Sequence, residues 1–125
     1  MEISLKKIDS WISIDLNGRM DSFNFELVTS QFNTLLRMGK KNLILDLSDV
    51  VFLSLPSLRF FSSIAKQVMS KDGRFVVLDP SEKLLELIGL FNSEGHFKII
   101  SNLHELDSYS VGQNNKKFSP ANKDS

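Results

Sequence analysis

Leu43-Ile-Leu-Asp-Leu-Ser-Asp-Val-Val-Phe-Leu-Ser-Leu-Pro-Ser-Leu58 is the stretch that decides the architecture of this chain. From Leu43 to Leu47 it is a short, nearly continuous apolar run, the pattern of a strand buried on both faces. A polar loop is expected next, then a second short apolar run from Val50 to Leu53, then a helix opening at Ser54 or Leu55. A strand-loop-helix junction places a helix N-terminus, with unpaired N–H groups and a partial positive charge, at the edge of a sheet. Such an edge can receive a phosphate or a protein partner. No Gly-rich loop is present. Leu55 and Pro56 occupy the first turn, where a nucleophile or a phosphorylatable hydroxyl would be expected.

Upstream, the segments from Ile3 to Ile8 and from Trp11 to Leu16 alternate apolar and polar residues. With Asp9-Ser10 as a tight turn between them, they predict a hairpin whose second strand ends at Asn17-Gly18. Asp21 or Ser22 is expected to cap a first helix carrying Val28, Phe32, Leu35 and Leu36 on one face. Gly39 should stop that helix, with Lys40 and Lys41 beside the negative end of its dipole.

Downstream, Leu58, Phe61, Ile64, Ala65, Val68 and Met69 form the apolar stripe of a second helix closed by Gly73. Phe75-Val-Val-Leu78 predicts a second buried strand. Asp79-Pro80-Ser81-Glu82 is expected to start a third helix, with Asp79 as N-cap, Pro80 at the first helical position and Glu82 completing a capping box. Leu84, Leu87, Ile88 and Phe91 form its inner face. A short strand from Phe97 to Ile100 follows, then a last helix capped by Asn102 and Glu105 and running to about Tyr109. From Ser110 the composition turns to Ser, Asn, Gln, Lys and Gly, which predicts a disordered tail over 110–125. The expectation is one α/β domain over 1–109, ordered β-β-α-β-α-β-α-β-α. Its sheet should be mixed but mostly parallel, with an antiparallel N-terminal edge and helices packed on it.

At 125 residues one domain is expected, burying roughly two thirds of its unfolded surface. Lys plus Arg and Asp plus Glu both number 15, so the formal net charge is zero. Without a basic excess to displace counterions, a dedicated nucleic-acid or membrane-surface binder is disfavoured. The absence of Cys excludes a disulfide scaffold, a thiolate zinc site and a Cys nucleophile. The first residues lack the pattern of a secretion signal, and no apolar window is long enough to span a bilayer. A cytoplasmic protein with no direct membrane insertion is therefore expected. His96 and His104 have no ligand spacing around them, and Met38-Gly39-Lys40-Lys41 lacks the remaining residues of a phosphate loop. No cofactor, metal or enzymatic activity is expected.

With that order in hand, the chain resembles a STAS domain, the module of anti-sigma factor antagonists and of sulfate-transporter tails. The residues that carry the resemblance are Leu16-Asn-Gly18-Arg-Met-Asp21, Leu43-Ile-Leu-Asp-Leu-Ser-Asp-Val-Val-Phe-Leu53, Gly73-Arg-Phe-Val-Val-Leu78, and Leu84-Leu-Glu-Leu-Ile-Gly-Leu-Phe91 with Phe97-Lys-Ile-Ile100. In regulated members of that family the strand leads into Asp-Ser-Ser-Gly-Leu. There a partner that is both kinase and anti-sigma factor phosphorylates the second Ser. Aligned through Phe52, Leu53 and Leu58, the chain has Ser54-Leu55-Pro56-Ser57-Leu58, with Pro56 at the phosphorylated position. Proline has no hydroxyl, so the family's usual switch cannot operate there.

The resemblance implies a partner-binding, regulatory loop made of Asp21, Ser54, Leu55, Pro56, Ser57, Leu58 and Arg59. Ser54 is read first as the N-cap of the second helix. Ser54 and Ser57 are also the hydroxyls that a displaced phosphorylation would use. Leu55 is either a hydrophobic staple or an exposed contact. Phe23 and Phe25 are read as a widening of the core and Phe60 as part of a contact surface. Asp21 serves either a partner or the first helix cap. Asp46, inside a strand, requires a hydrogen-bonded partner.

The leading expectation is a bacterial partner-switching regulator of transcription resembling an anti-sigma factor antagonist. Its partner would be an anti-sigma factor or serine-kinase-like ATPase, bound without the phosphoserine switch. The alternatives are a cytoplasmic STAS subunit of a lipid-transport ABC complex and a stressosome-type scaffold. A nucleotide-binding protein or small enzyme has no motif of its own here. The oligomeric state is left open.

Overall fold

Two strands apolar on both faces need cover on both sides, and that requirement organises the molecule. The computed structural model describes residues 1–91 and 97–106. Along the chain run β1 (Glu2–Ile8), β2 (Trp11–Met20), α1 (Phe25–Arg37), β3 (Asn42–Leu53), α2 (Leu55–Ser70), β4 (Arg74–Leu78), α3 (Glu82–Phe91) and β5 (Lys98–Ile100). The side chain of Phe91, His96, the end of the expected last helix and the tail lie outside the described residues. Where that last helix was expected, Asn102 Oδ1 accepts from the His104 amide and the Glu105 carboxylate from the Ser101 amide.

The five strands stand in sequence order, β1-β2-β3-β4-β5. β1 pairs antiparallel with β2, and every other pair is parallel. Crossovers of one hand that always step the same way put their helices on the same face. α1, α2 and α3 accordingly bury Val28, Phe32, Leu35, Leu58, Phe61, Ile64, Val68, Leu84 and Ile88 against Ile14, Leu43, Leu45, Phe75 and Val77. Phe32 is the hub, its ring meeting those of Phe60, Phe61 and Phe75 at centroid distances of 5.9, 5.6 and 6.3 Å. The opposite face holds a smaller cluster of Trp11, Ile44, Val76, Leu78, Ile100 and Leu106, with Ile8 beside it. The Arg74 guanidinium stands 5.9 Å from the Trp11 ring.

Several local readings need correction. β2 does not end at Asn17-Gly18 but runs on to Met20. The Asp21 carboxylate does not cap α1; it accepts from the Phe23 amide, while Asn24 is the residue before the helix. Met69 falls off the α2 stripe and is exposed. The third helix starts two residues later than expected, because Asp79 takes a left-handed φ of 51° and Ser81 accepts from the Leu84 amide instead. An N-cap residue normally has an extended backbone, which Asp79 does not.

Gly39 and Gly73 do close their helices, for different reasons. Gly39 has φ of 82°, with its amide bonded to the Leu36 carbonyl and that of Lys40 to the Leu35 carbonyl. This is the left-handed cap that glycine adopts most easily. After α2 the left-handed position is Asp72 (φ 62°), and Gly73 is needed for space. A Cβ there would lie 2.2 Å from the Lys41 carbonyl oxygen and 2.7 Å from Val68 Cγ1.

Gly73→Ala should therefore cost about 2 to 3 kcal/mol and lower the thermal midpoint by roughly 10 °C. Gly39→Ala meets open space and should cost only the left-handed strain, about 1 kcal/mol. Thermal denaturation followed by circular dichroism checks the order of the two. A Gly73→Ala variant as stable as Gly39→Ala would contradict the close approach.

Candidate functional site

At the C-terminal ends of the parallel strands β2 and β3, which are neighbours in the sheet, the loops into α1 and α2 lie side by side. The local chemistry starts with β3. Asp15 is level with Asp46 and Asn17 with Asp49, so β2 advances two residues while β3 advances three. Gly18 is then level with Val50 and Arg19 with Phe52, one residue against two. β3 therefore carries two bulges where a polar loop was expected, and the strand continues unbroken to Leu53. The Asp46 carboxylate holds the first by accepting from both the amide and the hydroxyl of Ser48, at 3.0 and 2.7 Å.

Bulges shift the side-chain alternation. After Leu47 the residues facing the helices are Val50 and Leu53 rather than every second one. Val51 is turned outward and is 66% exposed. At the strand end the Ser54 amide donates to the Met20 carbonyl at 3.0 Å, fixing the start of α2 against the end of β2.

α2 opens with its hydrogen bonding closed on itself. Ser54 is extended (φ −77°, ψ 160°), and its Oγ accepts from the Ser57 amide at 3.3 Å. The Ser54 and Ser57 hydroxyls are 2.7 Å apart. The Leu58 amide bonds to the Ser54 carbonyl. Pro56 stands in the first turn, where the missing N–H forfeits no helical bond. Helical periodicity turns Ser57 and Leu58 inward, where both are fully buried, while Leu55, Pro56 and Arg59 stay exposed. Ser57 and Leu58, grouped by sequence with the contact face, thus lie beneath it, and Ser57 offers no accessible hydroxyl. Leu55, left open by sequence between staple and contact, is 47% exposed.

The neighbouring turn at 21–24 is tied down from both ends. The Asn24 side chain accepts from the Asp21 amide at 2.9 Å and donates to the Arg19 carbonyl at 2.7 Å. At its tip Phe23 is 95% exposed, so it does not widen the core. Phe25 and Phe60 do: their rings meet edge to face at 5.9 Å, and Phe60 packs again on Phe32. Phe60 is thus a wedge between α1 and α2 rather than a contact residue. The Arg19 guanidinium lies 4.5 Å over the Phe52 ring. Sequence reasoning missed Val51, Arg19 and Phe52, whose positions follow from the bulges.

The exposed rim is therefore Phe23, Val51, Leu55 and Pro56, bordered by Arg19 and Arg59, on a backbone tied at Met20 and Ser54. Among the described residues no group of three or more His, Cys, Asp or Glu side chains converges as a metal site would require. His104 is exposed. No helix among the described residues is long and apolar enough to cross a membrane.

The family model of the STAS domain matches residues 2–106. The chain belongs to the STAS domain family. Its fold is that of solved anti-sigma factor antagonists. A Thermotoga maritima protein provisionally assigned as one is 26% identical, with a TM-score of 0.78 over 86% of this chain and 92% of that one. The Bacillus antagonist SpoIIAA, in its unphosphorylated form, is 16% identical, with a TM-score of 0.70 over 89% of this chain and 98% of its own. A variant of Moorella thermoacetica RsbS is 14% identical, with a TM-score of 0.71 over 91% and 99%. These last two share the fold alone. No curated protein matches the chain.

Ser54→Ala removes the cap and takes away the hydroxyl partner of a buried Ser57. It should cost about 1 to 2 kcal/mol in chemical denaturation. Adding Ser57→Ala should recover part of that loss, making the pair less than additive. Strict additivity would contradict the hydroxyl pair.

Proposed function

We propose that this STAS domain is a non-enzymatic regulatory module of the anti-sigma-factor-antagonist type, and that it binds a protein partner through the rim of Phe23, Val51, Leu55 and Pro56. The observation that carries the reading is the exposure of three large apolar side chains, on three adjoining segments, around a helix start held rigid by its own hydrogen bonds. Isolated apolar residues on a surface are ordinary, but three on segments joined by the Ser54–Met20 hydrogen bond suit an interface centre. Arg19, stacked on Phe52, and Arg59 flank it and favour a partner with carboxylates around an apolar pocket. A kinase-like ATPase acting as anti-sigma factor is the partner class that the family suggests. SpoIIAA itself exists in phosphorylated and unphosphorylated forms.

In this chain the hydroxyls at the same helix start are either buried or tied into hydrogen bonds. A phosphate at position 56 would add nearly two negative charges at the partner surface, and Pro56 cannot take one. Ser57 is buried, and Ser54 is engaged as the cap. Binding through this rim is therefore constitutive with respect to phosphorylation at the α2 start. Cytoplasmic action, as for a regulator of transcription, is part of the same proposal.

Leu55→Asp places a charge in the middle of the rim without touching the core. It should reduce recovery of the protein partner in affinity purification from the native cells by at least about tenfold, the effect of losing one good apolar contact. Unchanged recovery would move the contact elsewhere. Incubation with ATP and the recovered partner should leave Ser54 and Ser57 unmodified by mass spectrometry, whereas Pro56→Ser should gain phosphate at the new hydroxyl. Stoichiometric phosphate on Ser54 or Ser57 of the unaltered chain would overturn the constitutive reading.

A further inference from the structure

β1 is the outermost strand of the sheet, and among the described residues nothing pairs with its outer side. It is seven residues long, against three for β5 at the other edge. Ile3 and Leu5 point to the helix-bearing face, where Ile3 packs on the core but Leu5 is 45% exposed. Glu2, Ser4 and Lys6 point to the other face. An open edge of this length with a half-covered apolar row is a template for another strand.

We propose that this edge pairs with the β1 edge of a second copy of the chain, antiparallel and centred on Ser4 facing Ser4. Residues directly opposite in an antiparallel pair project from the same face. The Ser4-centred register sets Ile3 against Leu5 and Glu2 against Lys6, each twice by symmetry. Apolar meets apolar on one face, and carboxylate meets ammonium on the other. A register centred on Leu5 sets Ile3 against Lys7, and one centred on Lys6 sets two ammonium groups together. A register centred on Ile3 leaves Glu2 opposite Ser4. Only the Ser4 register sets Ile3 against Leu5 and Glu2 against Lys6 together, with Met1 opposite Lys7 at the strand end.

Lys6 already bridges the Asp15 carboxylate at 3.3 Å. Glu2 of the second copy would join an ammonium group that is held on the correct face. Lysines on an edge strand ordinarily repel unrelated strands. Here they leave the edge open to a strand that carries a carboxylate at the matching place, and the chain's own β1 does. The pairing does not depend on the function proposed above, because it uses none of the rim residues.

The test uses the full chain. Sedimentation equilibrium should show a concentration-dependent monomer–dimer exchange. Glu2→Lys should weaken it at least about tenfold, and Glu2→Lys combined with Lys6→Glu should restore it. The chain has no Cys, so Ser4→Cys provides a clean cross-link. In the proposed register the two Cα atoms lie about 4.5 to 5.5 Å apart, within disulfide reach. Ser4→Cys should oxidise to a dimer while Lys7→Cys, about 20 Å from its copy, should not. A chain that stays monomeric at every concentration overturns the proposal, as does a charge swap without rescue or cross-linking at position 7 in place of 4.

Discussion

The hydrogen bond from the Ser54 amide to the Met20 carbonyl closes the seam on which the rest of the rim depends. β3 reaches that bond only after spending two more residues than β2 over the same length. The bulges absorb the surplus, and the bond fixes where it stops. Everything exposed at the rim inherits this registration. Val51 faces outward because the second bulge turns it, and Leu55 follows because α2 must start where Ser54 is held. Arg19 reaches the Phe52 ring because those two residues are paired neighbours after the last shift.

The start of α2 illustrates how a backbone can be made rigid without a ligand. A helix normally leaves its first amides to water, to a capping side chain or to a bound anion. Here Ser54 takes one of them, Pro56 deletes another, and the Ser57 hydroxyl is consumed by Ser54. The polar groups at this helix end are satisfied largely within residues 54–58, and the groups left facing outward are hydrocarbon. Such an end offers an anion few free amides.

Much of this was legible in the sequence. Leu43–Leu45 and Phe75–Leu78 are apolar on consecutive residues, and runs this short between turn residues fit a strand covered on both sides. The order of elements then left one economical sheet. The α2 cap was legible because Ser before a Pro-containing first turn has a specific hydrogen-bonding reason. The bulges were not, because an extra residue in a strand looks like a break in alternation and hence like a loop. Asp79 and Ser81 are both competent caps by residue type, and only the left-handed backbone at Asp79 separates them. Phe23 and Phe60 were exchanged for a related reason. Helical phase assigns Phe60 to the flank of α2, but α1 lies against that flank, a tertiary fact that the periodicity of one helix does not contain.

Trp11, the single tryptophan, begins β2 on the face away from the three helices, and the rim begins where that strand ends. Roughly 30 Å of strand separates them. Its indole is enclosed by Ile44, Val76 and their neighbours, near a guanidinium. Tryptophan emission will consequently follow the integrity of that distant cluster rather than events at the strand ends. An emission probe for binding at the rim belongs close to residues 21–24.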